Sequence, residues 1–303
     1  VKFGHINDIQ SVSFDLATYS KEDLAFLFSL SKTSGNPIPF YFGSTSWNNA
    51  YWKGSIYPQS APVKSFIKEY GAQFNSIELN TTHYRIPDKQ LVEKWKLAMP
   101  DDFRFSPKFP QTVSHRKDFG QSSGQLVKFL EALDFFNSSL GLPFFQFPTH
   151  YKISDYSKVE EIVHSVAPYL PLAIELRDSG FYAEPLQNKL INLLRAFGVT
   201  LVQTDTPGVR SIVHNFITSD KVFVRFVATG HPQVDNLRID AWLERLSMLA
   251  AHGLKEIYFY LHEPEAYLKA DMGLYLWSKL NGDSTFIARG PIIENTPIQT
   301  KLF

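Results

Sequence analysis

The sequence predicts an α/β fold, a TIM-type (β/α)8 barrel that is irregular at its sixth crossover and carries an N-terminal helical extension. Three observations predict it. Short apolar runs rich in Ile, Val, Phe and Tyr recur along the chain, each bounded by Gly, Pro or Asp. Each run is followed by a stretch of helical periodicity, and strict alternation implies parallel strands joined by right-handed crossovers. A length of 303 residues, 44% of them hydrophobic, suits one large core.

The extension comes first. Lys21 to Leu30 reads as a helix opened by Ser20 and Asp23 as a variant capping box, and Ser31 to Pro39 as a linker. Residues 1–39 are expected to pack on the barrel, and residues 40–303 to form it. The strand runs are Phe40 to Gly43, Ser76 to Asn80, Phe103 to Lys108, Pro143 to Phe147, Leu172 to Arg177, Thr200 to Asp205, Val222 to Phe226 and Ile257 to His262. Helices are expected at Pro62 to Tyr70, Lys89 to Leu97, Gly124 to Phe136, Lys158 to Val166, Pro185 to Phe197, Ile239 to Ala251 and Glu265 to Leu280. The sixth crossover shows the weakest helical pattern. An open doubly wound sheet is the alternative, but no G-x-G-x-x-G fingerprint follows the first strand.

Composition narrows the function. Lysine plus arginine and aspartate plus glutamate both number 30, so no overall field draws in nucleic acid or an anionic membrane. A local basic cleft is compatible with that balance. With no cysteine, disulfides, thiolate zinc sites and cysteine nucleophiles are excluded. No signal-peptide pattern or membrane-length apolar run is present, so a soluble cytoplasmic protein is expected. No serine sits in a G-x-S-x-G elbow.

The candidate chemistry lies where the strands end. Alternation sends Glu78 and Asn80, Arg104, Ser106 and Lys108, Glu175 and Arg177, and Tyr258, Tyr260 and His262 to the inner face. Single polar residues, Gln146, Asp205 and Arg225, finish three other strands. Glu78, Glu175 and Asp205 are the catalytic candidates. Ser46, Trp47, Asn80, Tyr84, Arg85, Lys108, Gln146, Arg177, Arg225 and His262 are the ligand-binding candidates. Isolated charges at a strand end cost several kcal/mol each unless they are paired, so a shared site is the economical reading, and an ion-pair plug is its competitor. Three cations near Glu78, Glu175, Asp205 and His262 disfavour a bare divalent ion and suit a phosphate or carboxylate. A small anionic or polyhydroxylated partner, such as a sugar phosphate or nucleotide, is therefore expected. The alternatives are a paired-carboxylate glycosidase, a metal-dependent hydrolase or isomerase, and a non-catalytic barrel that binds nucleic acid or protein. These residues assign no metal, no cofactor and no oligomeric state.

The strings GSTSW with YWKGSIYP, SIELNTTHYRIP, FRFSPKFPQTVSH, FFQFP, AIELRDSGFY, LVQTD and VFVRF resemble those of the YecE-like proteins, domain of unknown function seventy-two. The resemblance runs in order from about Tyr41 to about Leu280. It implies a β/α barrel without an established activity, and family positions at Glu78, Asn80, Tyr84, Arg85, Lys108, Gln146, Glu175, Arg177, Asp205 and Arg225. The chain departs from the family at Asp178 and Val227, where histidines are usual, and at the strand end His262-Glu263, where asparagines usually precede a histidine.

Overall fold

The computed structural model describes residues 6, 8–30, 37–262 and 269–293. Every expected apolar run contains a strand: β1 (Ile38–Ser44), β2 (Ser76–Leu79), β3 (Arg104–Pro107), β4 (Phe144–Gln146), β5 (Ala173–Glu175), β6 (Thr200–Leu201), β7 (Gln203–Asp205), β8 (Lys221–Val227) and β9 (Glu256–His262). The sixth run divides in two, and a short β10 (Phe286–Ile287) was not anticipated. All the ladders are parallel.

The closed eight-stranded barrel expected from the alternation is not what forms. The strands stand in three separate sheets: five strands in the order β10-β1-β9-β8-β7, two as β2-β3, and three as β4-β5-β6. Side chains standing at the seams explain the division, because a backbone group satisfied by a side chain is withdrawn from the ladder. Between β1 and β2, Asn75 accepts from the Phe42 N–H at 2.8 Å and donates to the Phe40 carbonyl at 2.9 Å. The Tyr70 hydroxyl threads the same gap, accepting from Ser44 N–H at 2.7 Å and donating to Ser76 O at 2.8 Å. Gly43 leaves the room for it, since a Cβ there would collide with that hydroxyl and with Ser76 O. Beside β6, Thr218 Oγ1 accepts from Leu201 N–H at 2.9 Å and donates to Val199 O at 2.7 Å. From β3 to β4 only isolated pairings join Phe105 to Leu140 and Lys108 to Phe144.

The helices are α1 (Lys21–Leu30), α2 (Phe66–Gln73), α3 (Thr81–Tyr84), α4 (Lys89–Leu97), α5 (Gln111–Ser114), α6 (Gln125–Asp134), α7 (Tyr156–Val166), α8 (Leu186–Phe197), α9 (Pro232–Ala251) and α10 (Lys269–Leu280). Local chemistry sets their ends. Asp88 caps α4 by accepting from Leu91 N–H at 2.9 Å, and Gly198, with φ of 63°, closes α8 in the left-handed conformation that glycine adopts without strain. The sixth crossover, between β7 and β8, contains no α-helix, only the 3-10 turn Arg210–Ile212. Residues 265–268, the expected start of the last helix, and residues 31–36 of the expected linker lie outside the described residues.

Burial sorts the strand faces. Ile77, Leu79, Val224, Phe226, Ile257 and Phe259 join one outer cluster, with Trp242 and Leu246 of α9 and Leu276 of α10. Phe145, Ile174 and Leu201 join a second outer cluster, with Phe129, Val159, Ile162, Leu190 and Leu194 of α6, α7 and α8. The opposite faces of the five-stranded and three-stranded sheets share a small inner cluster of Leu142, Phe144, Ala173, Val202, Phe223, Tyr258 and Tyr260. The strands' polar ends meet beyond it.

The extension is tied down by its cap. Asp23 N–H donates to Ser20 Oγ at 3.0 Å, and Ser20 Oγ donates to Asp23 Oδ2 at 2.6 Å, as the sequence predicts. Asp23 Oδ1 also accepts from Arg195 Nη2 at 2.6 Å and from Ile217 N–H at 3.2 Å, which fixes α1 to α8 and to the segment before β8. Among the described residues, no helix is long and apolar enough to cross a membrane.

Candidate functional site

Glu78, Glu175 and Arg225 come from three different sheets, on β2, β5 and β8, and meet at one point. Arg225 donates from Nε to Glu78 Oε2 at 2.9 Å and from Nη2 to Glu78 Oε1 at 3.0 Å. Its Nη1 lies 2.9 and 2.8 Å from the two oxygens of Glu175. Both glutamates are fully buried and Arg225 is 5% exposed, so the guanidinium supplies the charge compensation that water cannot. Alternation within each strand is what turns all three side chains inward.

A polar shell surrounds this clamp. Asn80 Nδ2 donates to Glu78 Oε1 at 3.0 Å, and His262 Nε2 lies 2.8 Å from Glu78 Oε2. On Glu175, Thr204 Oγ1 donates at 2.9 Å, Arg177 Nε at 3.2 Å, and Gln146 Nε2 makes a short contact to Oε2. Lys108 completes the shell by donating from Nζ to Gln146 Oε1 at 2.8 Å. Asn80, Lys108, Gln146, Arg177 and His262 are half-buried, and they form the rim through which the buried clamp meets the exterior.

Charge states follow from these contacts. Burial would raise the Glu78 carboxyl, but Arg225 and His262 outweigh it and hold the group well below the usual carboxylate range. For Glu175, burial is likewise outweighed, by Arg177 and Arg225, and the group sits at about 2. Burial and the nearby Arg225 depress Lys108 to about 8 against the pull of both glutamates. Burial also lowers His262, with Glu78 opposing. Near neutrality the glutamates are fixed anions, and an imidazole with Nε2–H directed at Glu78 leaves Nδ1 as its acceptor nitrogen.

The structure does not bring every candidate here. Asp205 turns to the outer face, where it accepts from Trp242 Nε1 at 2.9 Å, pairs with Arg238 at 3.0 Å and contacts Arg210 closely. Its neighbour Thr204 takes the inner position, which counting the alternation from the apolar inner residue Val202 would have identified. Trp47 packs edge-on against Trp95 of α4, with centroids 5.8 Å apart, and Ser46 accepts from Asn48 N–H at 3.0 Å. Tyr84 is 74% exposed, and Arg85 pairs across 4.0 Å with Asp88. Arg104 lies at the opposite end of its strand, bonded to the carbonyls of Asp101 and Phe103. Ser106 and Tyr260 meet on the inner face, where the phenol donates to Ser106 Oγ at 2.7 Å and lies 2.7 Å from Ser76 Oγ. Glu263 lies outside the described residues.

Two of the sequence alternatives suit this geometry poorly. A paired-carboxylate glycosidase needs one protonated acid, whereas Arg225 keeps both glutamates ionised. Among the described residues, no three His, Asp or Glu side chains converge as metal ligands, and the Glu78 and Glu175 oxygens already accept from Arg225.

Comparison with known proteins agrees with the fold. A family described as "Protein of unknown function DUF72" matches residues 41–291. UPF0759 protein YecE of Escherichia coli (strain K12) is 24% identical over 282 residues, covering 87% of this chain and 99% of that protein. UPF0759 protein YunF of Bacillus subtilis (strain 168) is 24% identical over 198 residues, covering 61% of this chain and 69% of that protein. Among solved structures, a DUF72 family protein from Enterococcus faecalis V583 superposes with a TM-score of 0.64 at 21% identity, covering 82% of this chain and 99% of that one. Another, from Thermotoga maritima MSB8, gives 0.61 at 23% identity, with coverage of 80% and 99%. The match to residues 41–291 spans most of the sequence, and the chain belongs to the DUF72 family of proteins of unknown function.

Proposed function

We propose that the rim around the Arg225 clamp binds a small anionic, hydroxylated molecule, and that the protein is an enzyme acting on it. One observation carries the reading. Within the cluster, among the described residues, the three cations Lys108, Arg177 and Arg225 face the two carboxylates Glu78 and Glu175. Two of these cations, Lys108 and Arg177, lie on the half-buried rim, where a phosphate or carboxylate would accept from them. Asn80 and Gln146 add amide groups suited to hydroxyls. Acid–base chemistry falls to Lys108 and His262, because the glutamates are held ionised, with Glu78 fixing the His262 tautomer.

Titration calorimetry with inorganic phosphate and ribose 5-phosphate tests the proposal. The wild type should bind both, and Lys108→Met should lose roughly ten-fold in affinity, about the value of one charge-assisted contact. Equal affinity in the variant, or no heat with either compound, removes the anion site. Exposed Tyr84 beside Arg85 favours a second reading, a nucleic-acid surface. That reading requires affinity for single-stranded oligonucleotide that falls steeply with salt.

A further inference from the structure

The rim lysine is held in an unusual way. Lys108 follows β3, and its main chain is fixed on both sides: its N–H donates to Leu79 O at 3.2 Å, and its carbonyl accepts from Thr82 Oγ1 at 2.7 Å. Among the described residues, no carboxylate lies within ion-pair distance of its Nζ, although Glu175 is one side chain away. Gln146 stands between them, with its carbonyl on Lys108 and its amide on Glu175. A half-buried lysine whose role was only to balance charge would take the carboxylate directly. Interposing a neutral amide keeps the cation beside Arg225 with no directly paired carboxylate among the described residues, and burial and that neighbour favour the free amine. At pH 7 a lysine at about 8 is free amine in about one molecule in eleven, against roughly one in three thousand for an ordinary lysine.

We infer that Lys108 is a nucleophile that forms an imine with a carbonyl compound bearing a phosphate or carboxylate, the anion being held by the same rim. The inference rests on the anion-site reading above and names the reacting group within it. In the reaction, the ammonium sheds one proton and the Nζ lone pair attacks the carbonyl carbon. The C=O π pair moves to oxygen, which is protonated to give a carbinolamine. Loss of the second Nζ proton and departure of the hydroxyl as water leave a protonated imine. One ammonium and one carbonyl thus give one iminium and one water, with no oxidant or reductant. Glu78 and Glu175, already ionised, favour the positive charge that persists on nitrogen.

Borohydride trapping on the wild-type protein tests this directly. Pyruvate and dihydroxyacetone phosphate, incubated separately at pH 7.5 with sodium cyanoborohydride, should each give a reduced adduct that peptide mapping places on Lys108. The adduct should form at least about ten-fold faster there than on the exposed Lys64 and Lys89, following the difference in free-amine fraction. Comparing the two probes shows whether carboxylate or phosphate is preferred. Neutral dihydroxyacetone should label Lys108 about ten-fold more slowly than its phosphate. If phosphate binds by calorimetry and Lys108 is labelled no faster than the surface lysines, the imine is refuted while the anion site stands. If dihydroxyacetone labels Lys108 as fast as its phosphate, recognition of the anion is refuted. Because these comparisons are made within the wild-type chain, they do not depend on any variant folding. Lys108→Arg should abolish the fast adduct, and its persistence elsewhere would also overturn the assignment.

Discussion

Arg225 and Glu78 meet two-pronged, Nε to Oε2 and Nη2 to Oε1, in a place where neither charge reaches water. Removing the guanidinium leaves two buried carboxylates uncompensated, which costs roughly 3–5 kcal/mol for a broken buried pair. Arg225→Met should lose about that much in urea denaturation. Arg225→Lys should recover little, because an ammonium cannot span both carboxylates with a planar fork. The combination Glu78→Gln, Glu175→Gln and Arg225→Met should regain part of the loss. Equal urea midpoints for Arg225→Met and wild type would show that the clamp is not structural.

Asp205 separates stability from function. It joins Arg238, Arg210 and the indole of Trp242 on the outer face. Asp205→Ala should destabilise by roughly 1–3 kcal/mol, since it leaves the buried Trp242 indole N–H without its acceptor, while Arg238 keeps Asp235 as its ion partner. Phosphate affinity, measured where the variant is fully folded, should be unchanged. A large loss of affinity without loss of stability would return Asp205 to the ligand site.

Acid should unfold the protein in two stages. His214 donates from Nε2 to Val202 O at 3.0 Å and accepts from Phe216 N–H at Nδ1, 3.3 Å away, so both nitrogens are committed with the ring neutral. Burial holds it down at about 4, below its ordinary 6.5, so its contribution is complete above pH 6.5 and disappears as pH falls towards 4. Glu175, at about 2 against its ordinary 4.5, contributes fully above pH 4.5 and loses that contribution as pH falls towards 2. Urea midpoints at pH 7.5, 5.5 and 3.5 should fall progressively. His214→Gln should flatten the first interval and reduce the second, whereas Glu175→Gln should reduce the second alone. Constant wild-type stability from pH 7.5 to 5.5 would contradict the account of His214.

The strands and most helices were legible because period-two and 3.6-residue patterns are local. So was the convergence of Glu78, Glu175 and Arg225, which follows from alternation within each strand. The grouping of strands was not legible. It turns on Asn75 and Tyr70 standing between β1 and β2, and on Thr218 beside β6, and no spacing rule marks such side chains in advance. Asp205 was misplaced because the polar residue ending its strand drew more weight than the parity set by Val202. The pairing of Lys108 with Gln146 depends on strands 38 residues apart in sequence coming together, which a list of inward residues does not encode.

A scaffold made of three short parallel ribbons, hemmed together by side chains, relies on its central charges for alignment. A ligand that drew Arg225 away from either carboxylate would loosen one ribbon from another, so the guanidinium is poorly free to serve as a recognition group. Lys108 with Gln146 and His262 with Glu78 also bridge ribbons, but each by a single contact on the half-buried rim, so the opening can be altered there at a smaller cost to the framework.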